Sequence, residues 1–123
     1  MKTVTTYTLR FDGLPALLNQ YVGRHWSVGY DLKTRDKGIV AVAAYNAMIP
    51  RATGRRRVSV CLVVGPRKRT PDGDSVLKSL LDALVACGAL KNDSKEWCEL
   101  GAVTFARGKR TETVVTLEDI GDA

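Results

Sequence analysis

Apolar and polar residues alternate from Thr3 to Phe11: Thr5, Tyr7, Leu9 and Phe11 share one side, and Val4, Thr6, Thr8 and Arg10 the other. A period of two predicts a strand with an apolar face. Asp12-Gly13 predicts a turn, and Pro15 suits the first turn of a short helix bearing Leu14, Leu17, Leu18 and Tyr21, ended by Gly23. The spacing is helical from about Tyr30 to Met48. Ile39, Val42 and Ala43 lie on one stripe and Val40, Ala44 and Ala47 on the stripe beside it, so a broad apolar surface is expected. Arg57 to Val64 predicts a second strand, with Val58, Val60, Leu62 and Val64 on one face. From about Ser75 to Cys87, Val76, Leu77, Leu80, Leu81, Leu84 and Val85 predict another helix, with Gly88 as the left-handed residue past its end. Leu100 to Phe105 and Thr113 to Leu117 predict two strands joined as a hairpin through Gly108-Lys109-Arg110. No repeat or linker interrupts the chain, so residues 1–123 read as one domain. The order of elements fits an α+β two-layer sandwich, with helices packed on one face of a small mixed sheet.

Composition narrows the chemistry. No stretch approaches the roughly 20 apolar residues of a membrane helix, and the N-terminus lacks the apolar core of a signal peptide. The expectation is a protein that stays in the cytoplasm, away from membranes. His25 is the single histidine, which excludes a histidine-built metal centre within one chain but leaves a Ser-His-Asp hydrolase open. Cys61, Cys87 and Cys98 form no Cys-x-x-Cys pair, which suggests buried thiols in a reducing compartment.

Charge adds a direction. Lys and Arg number 19 against 13 Asp and Glu, a net charge of +6. Between residues 51 and 70 the chain carries Arg51, Arg55, Arg56, Arg57, Arg67, Lys68 and Arg69 and no acid. Such blocks neutralise phosphates; they also serve as solvated faces that keep a protein soluble. The block ends in Pro71-Asp72-Gly73-Asp74-Ser75, with Lys78 four residues beyond Asp74. Residues two apart in an extended segment point the same way, so Asp72 and Asp74 offer two hard oxygen donors of the kind Mg²⁺ takes. Lys78 projects near Asp74 on a helix and could neutralise charge on a phosphoryl oxygen. Asp74 is equally a good helix N-cap, and Asp74 with Lys78 an ordinary helical ion pair. Cations beside the acids favour a polyanion held over a metal. A third acid, Asp93, follows the helix. It reaches the first two only if the chain doubles back after Gly88 or if a second subunit supplies it.

The run Arg67-Lys68-Arg69-Thr70-Pro71-Asp72-Gly73-Asp74-Ser75, then Lys78, Asp82-Ala83-Leu84, Cys87-Gly88 and Asn92-Asp93-Ser94, resembles the RusA family of Holliday junction resolvases. The likeness is strong over about residues 65–95, where the spacing runs without a gap. Ser75 stands where the family has Asn, and Asn92 stands for the first acid of a later pair; the other acids and the lysine match. The resemblance implies that Asp72, Asp74 and Asp93 bind Mg²⁺ or Mn²⁺ and that Lys78 is the catalytic lysine. It also implies a compact homodimer, bacterial or phage-encoded, that nicks four-way DNA junctions symmetrically in recombination and repair. On this reading Arg67, Lys68 and Arg69 position the DNA backbone without reading sequence.

Two other functions compete: a non-catalytic basic nucleic-acid-binding module with Asp72 and Asp74 as helix caps, and a metal-dependent nuclease acting on other branched or duplex DNA. Arg24-His25-Trp26 could stack on an opened base, or Trp26 could cover a core edge. Asp82 reads as a partner of Lys78 or a solvated acid, and Glu96 and Glu99 as extra acids of the site or as ordinary surface acids on a loop.

Overall fold

The alternation of Val58, Val60, Leu62 and Val64 becomes one buried side of the central strand. The computed structural model describes residues 5–14, 26–66 and 73–121. Its elements are β1 (Thr6–Asp12), α1 (Trp26–Asn46), β2 (Arg55–Val64), α2 (Gly73–Ala86), β3 (Cys98–Arg107) and β4 (Glu112–Gly121). The expected short helix near Leu17 lies outside the described residues. The α+β reading holds: the strands form one mixed sheet in the order β1-β4-β2-β3. β1 pairs antiparallel with β4, β4 antiparallel with β2, and β2 parallel with β3. Parallel neighbours need a long crossover, and α2 supplies it.

The expected hairpin does not form. β3 and β4 adjoin in sequence, but β2 lies between them. β2 has a face buried along its whole length, from Arg56 to Val64, so it takes the centre of the sheet with a partner on each side. Residues 108–111 pass around its end. Gly108 N–H donates to Val64 O at 3.1 Å, and Gly65 N–H donates to Thr111 Oγ1 at 3.0 Å. A Cβ on Gly108 would stand 2.6 Å from Val63 Cγ1, so the close crossing requires glycine.

One core joins the sheet to both helices. Leu9, Val58, Val60, Leu62, Val115 and Leu117 meet Val76, Leu80, Ala83 and Leu84 of α2 and Val40 and Ala44 of α1. The buried line on α1 is Asp36-Val40-Ala44, spaced by four, and Ser79 Oγ donates to Asp36 Oδ2 at 2.7 Å where the helices touch. Ile39 and Val42, expected on an apolar stripe, are exposed, because α1 buries the neighbouring line against α2 and the sheet. Gly88, with φ of 84°, ends α2 as expected; its N–H donates to Val85 O, and Leu90 N–H to Leu84 O. Among the described residues no helix is long and apolar enough to cross a membrane.

Candidate functional site

In the β2-α2-β3 unit the chain leaves the carboxyl end of β2, passes the basic segment and enters α2 from its N-terminus. Partial positive charge from unpaired backbone N–H groups collects there and favours anions. Arg67, Lys68, Arg69 and Asp72 belong to this entry and lie outside the described residues, as does His25. Asp74 falls in the first turn of α2 and Trp26 at the start of α1; of both, the helix position alone is described. Lys78 follows one turn after Asp74 and is exposed.

Asp93 sits in the turn that follows α2. Asn92 Oδ1 accepts from Ser94 N–H at 3.0 Å, and Ser94 O accepts from Trp97 N–H and Cys98 N–H, so the chain doubles back tightly into β3. Lys91 Nζ lies 4.4 Å from the centre of the Trp97 ring. The reversal brings Asp93 to a cavity of about 320 Å³ lined by Asp82, Val85, Ala86 and Asn92, with Lys37 of α1 across it. Asp82 is eight residues past Asp74, about 12 Å along the axis. The described residues thus bring Asp93 to the far half of α2, beside Asp82. In the sequence Lys37 reads only as one of the cations, with Arg24, Lys33 and Arg35, that could grip DNA backbone or form a solvated face; the packing of α1 on α2 is what carries it to this cavity. Asp82 had one: four residues beyond Lys78, it continues the same polar strip.

The accessible donors here are carboxylate oxygens, as a hard divalent ion requires. Among the described residues no three acids, cysteines or histidines stand together. Cys98 is no soft competitor. Burial pushes its thiol above the ordinary range and the Asp93 charge adds to this, partly offset by Arg55. It stays protonated at neutral pH.

Of the triplet Arg55-Arg56-Arg57, Arg56 is buried and the other two are partly exposed. Arg56 is 2% exposed and donates to Asp119 Oδ1 at 2.7 Å and to the Pro50 and Ala89 carbonyls at 2.9 Å. Arg57 pairs with Glu99 at 2.8 Å and with Glu118 at 3.4 Å, and Arg55 Nε donates to Lys95 O at 3.1 Å. Glu99, read as a loop acid, is therefore a strand residue in an ion pair.

No family model matches the chain, and no curated protein does. Among solved structures the chain is similar to thiamine monophosphate kinase (thil) from Aquifex aeolicus, at 12% identity and a TM-score of 0.41, over 94% of this chain and 32% of that one. A chain described as AaThiL complexed with AMPPCP and TMP matches at the same identity and TM-score, over 94% of this chain and 30% of that one. The chain thus spans about a third of the length of those proteins. A likeness of this degree carries no argument here.

Proposed function

We propose that this protein is a metal-dependent, structure-selective DNA endonuclease of the RusA type, resolving four-way junctions by paired nicks. The observation that carries the reading is Lys78: an exposed ammonium one turn beyond Asp74, at the mouth of a crossover helix. Burial of Arg56 and pairing of Arg57 with Glu99 and Glu118 break up the Arg55-Arg56-Arg57 triplet, which supports Arg67-Lys68-Arg69 as the basic run for phosphates.

Asp72, Asp74 and Asp93 would hold Mg²⁺ or Mn²⁺, which supplies Lewis-acid activation of water and charge neutralisation for in-line phosphodiester hydrolysis. Lys78 donates to the phosphoryl oxygen on which charge develops. Arg67, Lys68 and Arg69 hold the flanking backbone. The N-terminus of α2 adds its N–H groups to the same anion. In one copy Asp93 stands about two helical turns from the level of Asp74, so an ion shared by both acids calls for Asp93 of a second copy.

The test is a labelled synthetic four-way junction incubated with and without Mg²⁺, beside flap and linear duplex controls. Mg²⁺-dependent paired nicks confined to the junction are expected. Binding with no nick under any divalent ion would instead assign a non-catalytic nucleic-acid-binding module. Equal cleavage of flap or duplex would assign a nuclease without junction preference.

A further inference from the structure

A cavity of about 770 Å³ opens between α1 and β1. Its apolar wall includes Ile39, Val42 and Ala43 of α1 and Phe11 of β1, and the charged residues of its lining, Arg10 and Arg35, are both cations. Val42 is 60% and Ile39 36% exposed, so this wall faces solvent. β1 is an outer strand, and among the described residues nothing pairs with its outer edge. The register tells which residues offer that edge. Gly13 N–H donates to Thr111 O and Asp119 N–H to Thr5 O, so the odd-numbered residues of β1 bond β4. Thr6, Thr8, Arg10 and Asp12 therefore turn their N–H and C=O groups outward, and all four are exposed.

We propose that this groove takes an extended segment of a partner protein, alternating apolar and acidic residues, which joins the edge of β1 as a fifth strand. Backbone bonds to Thr6, Thr8 and Arg10 supply the pairing, and side chains supply the choice. Successive residues of the added strand point to opposite faces. One set lies on Ile39, Val42 and Ala43 and calls for apolar side chains. The other lies on the far face of the sheet beside Arg10, where an acid is the favourable cross-strand neighbour and a cation is repelled. Asp12, at the end of β1, has Arg110 at 3.9 Å to answer it. Arg35 holds Asp36 at 3.3 Å and is half exposed, so its remaining N–H donors can take a further acid. A nucleic acid has no use for the apolar wall. Neither outer strand of a second copy alternates apolar with acidic residues: β1 carries Arg10, and β3 is uncharged from Leu100 to Ala106. The groove rests on β1 and α1 alone and is independent of the nuclease reading.

Fluorescence anisotropy with a labelled peptide of alternating valine and glutamate tests it on the full chain. Saturable binding is expected, at least about tenfold tighter than that of the same peptide with lysine for glutamate. N-methylation of alternate peptide amides, in the phase that faces β1, should abolish it. Val42→Glu should remove binding with the circular dichroism spectrum unchanged, since the side chain is exposed. Arg10→Glu should lose the glutamate peptide and gain the lysine peptide, a readout that only a folded groove gives. The amides of Thr8 and Arg10 should exchange fast in the free protein and slowly once the peptide is bound. No saturation at millimolar peptide, equal binding of both peptides, or no exchange of preference in Arg10→Glu would each overturn the proposal. So would slow exchange at Thr8 and Arg10 without peptide, which would assign the groove to this chain's own residues. Self-association abolished by Val42→Glu would assign it to a second copy, and displacement of the peptide by junction DNA would assign it to nucleic acid.

Discussion

Arg56 places a guanidinium among aliphatic side chains, and its partners offset the desolvation. It bonds Asp119 and two backbone carbonyls and stacks 4.9 Å from the centre of the Tyr7 ring. One of those carbonyls, Ala89 O, belongs to the segment leading to Asp93. Arg56→Leu strands the Pro50 and Ala89 carbonyls, and an unsatisfied buried polar group costs about 1–3 kcal/mol. A loss on the order of 2–4 kcal/mol is expected in urea unfolding; a loss under about 1 kcal/mol, less than one such group costs, would mean water replaces the guanidinium. The burial was legible only in phase: Arg56 lies two residues before Val58, on the side the valines share, yet it sits in a triplet that reads as surface charge. Cys98 gives a second residue-level expectation. Its thiol is raised by burial, so the folded state keeps its proton at a pH where the unfolded chain has lost it. Stability should therefore hold up to the ordinary thiol range and fall as the pH climbs from there to the raised value. Cys98→Ser should flatten that alkaline limb; an equal slope in both proteins would assign it to other groups.

At the scale of elements, α2 joins fold to chemistry. Its apolar stripe packs on the sheet, while Asp74, Lys78 and Asp82 lie within about 80° on the helix. Lys78→Ala should lower single-turnover cleavage about 10²–10³-fold, the usual cost of one transition-state donor, with junction affinity nearly kept. A change below about threefold would demote Lys78 to a surface charge, since such charges contribute only tenths of a kcal/mol. Helix and strand identities were legible because burial follows the periods of 3.6 and two. Strand neighbours were not. Gly108-Lys109-Arg110 signals a reversal of direction, but a reversal can close on the adjacent strand or step over one. What decided was the fully buried face of β2, which needs a partner on both sides. The candidate site was legible to the same extent: one local segment supplied Asp72, Asp74 and Lys78, whereas Lys37 joins Asp82 and Asp93 only through helix packing.

For the whole molecule the question is where Asp93 acts. β2 and β3 run parallel and α2 runs back between them, so the entry to α2 and the turn before β3 lie at opposite ends of one sheet. A two-fold axis that set two sheets antiparallel would reverse one copy against the other. The turn carrying Asp93 of each copy would then lie at the end of the sheet where the other's α2 begins. A site shared in this way has a genetic signature. Asp74→Asn and Asp93→Asn should each abolish cleavage while keeping junction binding, because losing a negative charge does not weaken attraction to phosphate. Mixed, the two inactive proteins should recover activity. In a mixed dimer, one site combines Asp74 of one copy with Asp93 of the other and is whole; the second site lacks both acids. Such a dimer should nick one strand of a four-way junction and leave it unresolved, and the nicked product should peak at equal proportions of the two proteins. If Asp93 served Asp74 of its own copy, every site in the mixture would lack one acid, and no ratio would restore a nick.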